Sequence, residues 1–137
     1  MRKIDTMTKV YLAGGLKSNW QEKVTSSIKE LMFHNPRDKE YNGGVKIDMP
    51  LIEYGIWDIH HIKQSDIVFV YVEATNTSCI GLSVEAGYAK GLGKTVITVL
   101  ETNHETIPDY YLSFIRLVSD VVFDTLDEGI EYLRLFV

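Results

Sequence analysis

Asp66-Ile-Val-Phe-Val-Tyr-Val72 is the stretch that decides the fold. After the leading aspartate every position is apolar, and β-branched and aromatic side chains dominate, the composition of a strand. A strand with one solvated face alternates apolar with polar residues. A continuous run means that both faces are covered, as for a central strand of a parallel sheet. Ile67 to Val72 is also the longest apolar run in the chain and is far too short to cross a bilayer as a helix.

Outward from this strand, periodicities switch between helix and strand. Before it, residues 51–65 carry Ile52, Ile56, Ile59 and Ile62 at helical spacing. After it, a helix is expected over about 78–92 with Gly93 placed to end it, then a buried strand over 95–100. Upstream, Lys9 to Ala13 reads as a strand stopped by Gly14-Gly15. Trp20, Val24, Ile28 and Leu31 then mark an amphipathic helix with Ser18 or Asn19 at the N-cap. Phe33 to Arg37 reads as a second short strand, and residues 36–50 as a polar loop without a period, a length that often carries function. Downstream, residues 108–118 form a helix, Val121 to Phe123 an edge strand, and residues 126–136 a closing helix with Ile130 and Leu133 inward. With right-handed crossovers this alternation predicts an α/β fold. It is a single-domain flavodoxin-like or Rossmann-like sandwich over residues 1–137, with about five parallel strands and helices on both faces.

Composition narrows the function. At 137 residues and 45% hydrophobic content, one substantial core is expected. A net charge of -5 argues against a nucleic-acid polymer as partner and for small solutes. Cys79 is the only cysteine, so no intrachain disulfide and no cysteine cluster for zinc or iron-sulfur is expected. That usage fits the cytoplasm, and the polar stretch from Met1 to Thr8 lacks the long apolar segment of a secretion signal. No membrane partner is expected.

Glu85 carries the most information. Leu82, Ala86, Ala89 and Leu92 form the inward stripe of its helix, and Glu85 lies three residues from Leu82 and four from Ala89, so a carboxylate falls on the core face. It also reads as near the helix start, where the dipole favours negative charge. The pattern equally accommodates a carboxylate that curls outward. Asp58 flanks the stripe of the preceding helix beside Leu51, Gly55 and Ile62, and two carboxylates at one cleft divide the labour of glycosidic cleavage. The competing reading is a solvated residue paired with Lys63 or His61. Tyr11 lies in the first strand just before the glycine turn, where a buried tyrosine more often means packing than chemistry.

Other signals are discounted. Gly91-Leu-Gly-Lys-Thr95 looks like the end of a P-loop, but residue 88 is tyrosine where the first glycine belongs, and the motif precedes a strand. The Gly14-Gly15 turn lacks dinucleotide-fingerprint spacing, and His60 and His61 point to different helix faces without zinc-ligand spacing. No cofactor and no metal are expected.

Four blocks taken together carry a resemblance: Tyr-Leu-Ala-Gly-Gly at 11–15, Trp-Asp-Ile-His-His-Ile at 57–62, Ser-Asp-Ile-Val at 65–68 and Gly-Leu-Ser-Val-Glu-Ala-Gly-Tyr-Ala at 81–89. In order and spacing they resemble the nucleoside 2-deoxyribosyltransferases from Tyr11 to about Leu100. The resemblance implies Glu85 as nucleophile, Asp58 in proton transfer to the base and Tyr11 orienting the nucleophile. It also implies a substrate pocket drawn from Gly14, Gly15, Asn35, Arg37, Trp57, Cys79 and Gly81. The partners it implies are a deoxynucleoside or deoxynucleotide, a free nucleobase and further copies of the chain in a homo-oligomer, with Tyr110, Tyr111 and Phe114 as the contact segment. Cys79 departs from the pattern, since many transferases carry an aspartate six residues before the nucleophile. Related deoxynucleotide N-glycosidases have a small hydroxyl residue there, which keeps a hydrolase of 5'-monophosphates as an alternative. A non-catalytic nucleotide-binding module on the same fold is the other.

Overall fold

A computed structural model describes residues 6–42, 45–46, 50–75, 79–101 and 108–137. Five parallel strands form the main sheet: β1 (Lys9–Gly14), β2 (Met32–His34), β5 (Ile67–Val72), β6 (Thr95–Leu100) and β7 (Val121–Phe123). Their spatial order is β2-β1-β5-β6-β7, which in chain order is second, first, third, fourth, fifth, the flavodoxin-like arrangement expected. The helices are α1 (Trp20–Ser27), α2 (Leu51–Gln64), α3 (Ile80–Gly91), α4 (Asp109–Val118) and α5 (Leu126–Leu133).

Both faces of the sheet are buried, and each central strand divides its residues between two cores with a period of two. Val10, Leu12, Ile67, Phe69, Tyr71, Ile97 and Val99 join Trp20, Val24, Leu126, Ile130 and Leu133 beneath α1 and α5. Tyr11, Ala13, Val68, Val70, Val72, Val96 and Leu100 join Ile62, Leu82, Ala86, Ala89, Leu112 and Ile115 beneath α2, α3 and α4. Each fully buried aliphatic or phenyl side chain contributes roughly 1.5–3 kcal/mol. The one polar side chain in the middle of β6, Thr98, is fully buried and satisfies its hydroxyl on Ser119 Oγ at 2.6 Å.

Several boundaries depart from the sequence reading. Helix α1 is shorter than its apolar stripe: Ile28 is already extended, yet Ile28 and Leu31 are buried, because the chain turns them into the core on its way to β2. Asn19 occupies the N-cap without a side-chain cap bond, while Ser18 Oγ donates to Glu73 Oε1 at 2.6 Å. The second strand ends at His34. Arg37 lies instead in a 3-10 helix, Pro36–Glu40, which leads to a two-stranded antiparallel pair, β3 (Tyr41–Asn42) and β4 (Val45–Lys46). The segment read as a loop thus holds short structure that no periodicity announces. Ile52 and Ile56 of α2 are 76% and 65% exposed, so the isoleucine stripe is not the inward face, and only Ile62 of the four is buried. Leu92 lies outside the α3 stripe at 44% exposure, since the helix has ended at Gly91. The closing helix tightens into a 3-10 turn at Arg134–Phe136.

Local chemistry explains the α5 start. Thr125 Oγ1 accepts the Glu128 N–H at 3.2 Å and donates to Glu128 Oε1 at 2.9 Å, while Glu101 Oε1 takes the Leu126 N–H at 2.8 Å. Helix α5 then approaches β6 so closely that a Cβ on Gly129 would stand 2.4 Å from Val99 Cγ2 and 3.0 Å from Phe69 Cζ. Gly129→Ala is expected to destabilise the fold by about 1–3 kcal/mol through overpacking, read as a lower urea midpoint at unchanged m-value.

Strand β2 ends on His34, half-buried, with a buried Nε2 that has no partner among the described residues. Burial first, then the charges of His61, Lys9 and His60, lower its pKa to about 4 from the usual 6.5. Between these values the unfolded chain binds a proton that the folded chain refuses, so stability falls with acidification through that window. His34→Gln should flatten the stability profile between pH 6.5 and 4, measured by urea titrations across that range.

Candidate active site

Three side chains from three elements meet over β1. Tyr11 is the third residue of that strand, and its ring points to the face covered by α2 and α3, which pack on β1 and on each other. Asp58 comes from the middle of α2 and Glu85 from α3. Tyr11 is fully buried, and its hydroxyl is held protonated far above the ordinary phenol range. Burial is the largest cause, followed by the charge of Glu85 and then that of Asp58, with hydrogen-bonding attraction to both carboxylates adding to it. The hydroxyl oxygen is sealed from solvent and close enough to feel both groups, but it completes no bond of regular geometry among the described residues. Oε2 of Glu85 is likewise buried. A phenol that cannot ionise keeps a proton to donate, and the carboxyl groups facing it offer acceptor oxygens.

Glu85 does not stand at the start of α3, contrary to the expectation from sequence. The helix starts at Ile80, so Glu85 is its sixth residue and stands in the second turn, beyond the reach of the terminal partial charge. Burial and neighbours set its environment instead.

Trp57 and Cys79 pack at the margin of the same core. Cys79 occupies the N-cap of α3 without capping it, and burial pushes its thiol pKa up, so it sits there as a small neutral group. Gly81 is exposed in the first turn of α3, with open space where a Cβ would stand.

The remaining expected residues gather at the turn after β1. A Cβ on Gly14 would stand 2.7 Å from both Trp20 Cζ2 and the Tyr71 carbonyl, so glycine is required there for close approach. The Gly15 carbonyl accepts from Trp20 Nε1 and Gln21 Nε2, both at 2.9 Å. Asn35 Oδ1 accepts the Arg37 N–H at 3.0 Å, and the Arg37 guanidinium reaches into the turn, where Nη2 donates to the Leu16 and Ser18 carbonyls.

Two features escaped the sequence reading. His34 is the register partner of Tyr11, so it lies beside the tyrosine on the same face. Its ring meets His61 edge-on at 4.7 Å, and His61 stacks on Trp57 at 3.8 Å. His61 Nδ1 lies 2.9 Å from the Trp57 carbonyl, which can only accept, so Nδ1 carries the proton. His61, discounted in the sequence as a zinc ligand, thus braces the residue next to Asp58. Its position four residues after Trp57, on one helical face, was the available signal. The second feature is Gln21, fully buried, whose place in α1 gave no warning of its polar role. Among the described residues no cluster of histidine, cysteine and carboxylate side chains is arranged to hold a metal, and no helix is long and apolar enough to cross a membrane.

The fold is shared with solved structures. A conserved protein from Enterococcus faecalis V583 is similar at a TM-score of 0.70 and 16% identity, covering 96% of this chain and 100% of that one. A 2-deoxyribosyltransferase from Bacillus psychrosaccharolyticus is similar at 0.67 and 23% identity, covering 91% and 92%. A CMP N-glycosidase from Clostridium botulinum is similar at 0.62 and 20% identity, covering 94% and 100%. No curated protein matches the sequence significantly. Residues 7–103 match the family described as nucleoside 2-deoxyribosyltransferase like, a span that contains β1, Tyr11, Asp58 and Glu85, and the chain belongs to that family.

Proposed function

We propose that the protein transfers 2-deoxyribosyl groups between nucleobases through a glycosyl ester on Glu85. The observation that carries the reading is the Tyr11 hydroxyl, buried, un-ionised and faced by the carboxylates of Glu85 and Asp58. In the first step a Glu85 oxygen bonds to the anomeric carbon as the bond to the base nitrogen breaks, and Asp58 handles the proton that the departing base takes up. In the second, an acceptor base attacks the same carbon, the ester bond to Glu85 breaks, the acceptor's N–H proton passes to Asp58, and two inversions leave net retention. Tyr11 orients the nucleophile by offering its proton to Glu85. Trp57, Cys79 and Gly81 border the base, and the turn at Gly14 and Gly15 borders the sugar. The chemistry requires neither metal nor organic cofactor.

Hydrolysis of a 5'-monophosphate is the rival, favoured by the small residue at Cys79 and by the likeness to an enzyme named as a CMP N-glycosidase. Against it, Nε and Nη2 of Arg37 are committed to protein acceptors, which leaves the exposed Lys17 as the cation of the turn itself. Self-association is part of the proposal. Tyr110, Tyr111, Phe114 and Leu117 on α4 are each more than 60% exposed, an apolar row that a second copy would cover. The single free cysteine is in keeping with a cytoplasmic site of action.

Glu85→Gln should abolish turnover while leaving the thermal midpoint near that of the parent, because an amide cannot form the ester and the change is nearly isosteric. A 2'-fluoro-arabinosyl nucleoside should label the parent at Glu85, seen by peptide mass mapping. Label at another residue, or near-normal activity in the variant, removes Glu85 from this role.

Specificity constants for deoxyadenosine and its 5'-monophosphate, each with and without excess acceptor base, separate transfer from hydrolysis. The unphosphorylated nucleoside is expected to be the better substrate, with turnover raised by the acceptor. A large preference for the monophosphate and no acceptor effect would make the protein a nucleotide hydrolase.

A further inference from the structure

The turn after β1 is gripped from within by side chains that the bond-breaking steps do not use. Gln21 is fully buried, and both ends of its amide are engaged: Nε2 donates to the Gly15 carbonyl at 2.9 Å and Oε1 accepts from Arg37 Nε at 3.1 Å. Arg37 Nη2 donates to the Leu16 carbonyl and, at 2.5 Å, to the Ser18 carbonyl. Trp20 Nε1 adds a second donor to Gly15 at 2.9 Å, and Ser18 Oγ ties the end of the turn to Glu73 beyond β5. Three carbonyls of one short turn are thereby drawn toward α1 and the segment after β2.

Arg37 cannot make these bonds from its own segment without support. Asn35 Oδ1 accepts its backbone N–H and fixes the bend from which the side chain reaches across, and Gln21 orients the guanidinium from below. The two side chains therefore depend on each other. A buried amide stripped of the arginine leaves a carbonyl oxygen unsatisfied, and an arginine stripped of the glutamine loses the contact that aims its fork.

We infer that Gln21 and Arg37 form one strut that sets the shape of the β1–α1 turn, and that Arg37 acts on the substrate through the turn's main chain without touching it. Both are then positioning residues. Ligands of open parallel sheets sit outside the carboxyl ends of the strands, where this turn lies. The inference rests on the proposed deoxyribosyl chemistry only in taking deoxyadenosine as the probe substrate.

The test is a double-mutant cycle of Gln21→Leu and Arg37→Ala, with Arg37→Lys as a gentler third variant, read by kinetics and by hydrogen exchange of the Trp20 indole N–H. On deoxyadenosine each single change should raise KM about tenfold and hold kcat within about threefold, because the turn's contacts are made in ground and transition state alike. The double variant should lose clearly less than the sum of the two single losses, since the Gln21–Arg37 bond is counted in both while each side chain also holds its own turn carbonyls. Arg37→Lys should behave like Arg37→Ala, because an ammonium keeps the charge but not the fork. The Trp20 indole, bonded to the same Gly15 carbonyl, should exchange at least tenfold faster in every variant.

Additive losses would overturn the strut, as would an indole exchange rate unchanged in Arg37→Lys. A loss confined to the 5'-monophosphate, rescued by lysine, would make Arg37 a direct phosphate contact and overturn it too. Faster exchange with kinetics unchanged would overturn the positioning role. If the parent protein cleaves no deoxynucleoside, the proposed function fails, and the strut is judged on exchange alone, which needs no activity.

Discussion

Burial of β1 on both faces is the constraint on which the rest depends. Strands β5 and β2 flank it, α1 and α5 cover one side, and α2 and α3 cover the other, so any polar atom it carries must find its answer inside the protein. Tyr11 brings one such atom. Its ring fills the core beneath α2 and α3, and its hydroxyl cannot lose a proton there, because burial and two nearby carboxylates all oppose the phenolate. The same strand then forces the next feature. After Ala13 the chain must leave the sheet past Trp20 and the Tyr71 carbonyl with no room for a side chain, which fixes Gly14 and begins the turn that Gln21 and Arg37 hold.

Where the sequence spoke through period and burial, it was legible. The unbroken run at Ile67 to Val72 announced a strand covered twice, and all six residues are buried. The alternation around it led to the strand order observed. Placing Glu85 inward rested on the apolar stripe of α3, of which Leu82, Ala86 and Ala89 are buried as expected. The α2 stripe misled because apolarity and burial are different properties: Ile52 and Ile56 are apolar yet exposed, while Trp57 and His61 on another face turn toward the sheet. A lone protein surface carries much apolar area, so a stripe alone does not choose the inward face.

What stayed hidden was tertiary. Nothing in the spacing of Gln21 and Arg37, sixteen residues apart, signals that they bond, and nothing in Met32-Phe-His34 shows that the histidine will stand in register with Tyr11. Such pairings are decided by where β2 lies against β1, and sequence periodicity carries no information about them. Residues 36–50 illustrate the same limit from the other side, since a 3-10 helix and a two-residue strand pair are too short to impress a period on the sequence.

The electrostatics of the site favour one kind of charge development. Two carboxyl groups and an un-ionisable phenol meet at a wall of low polarity, and His34, in register with Tyr11, is kept neutral down to about pH 4. Negative charge arriving there would be disfavoured beside the carboxyl groups of Asp58 and Glu85. Positive charge developing on a sugar ring would be stabilised by both, and strongly, because the surroundings screen poorly. Glycosidic cleavage passes through such a cationic sugar, whereas attack on a carbonyl or a phosphoryl group builds negative charge. Tyr11 makes the pairing of two acid groups tolerable before substrate arrives, since its un-ionised hydroxyl offers one proton where they converge. In the proposed chemistry, formation of the glycosyl ester would make Glu85 neutral. The second step of that proposal would then begin with less repulsion than the first, leaving a neutral acceptor base free to approach the anomeric carbon from the side that the first base left.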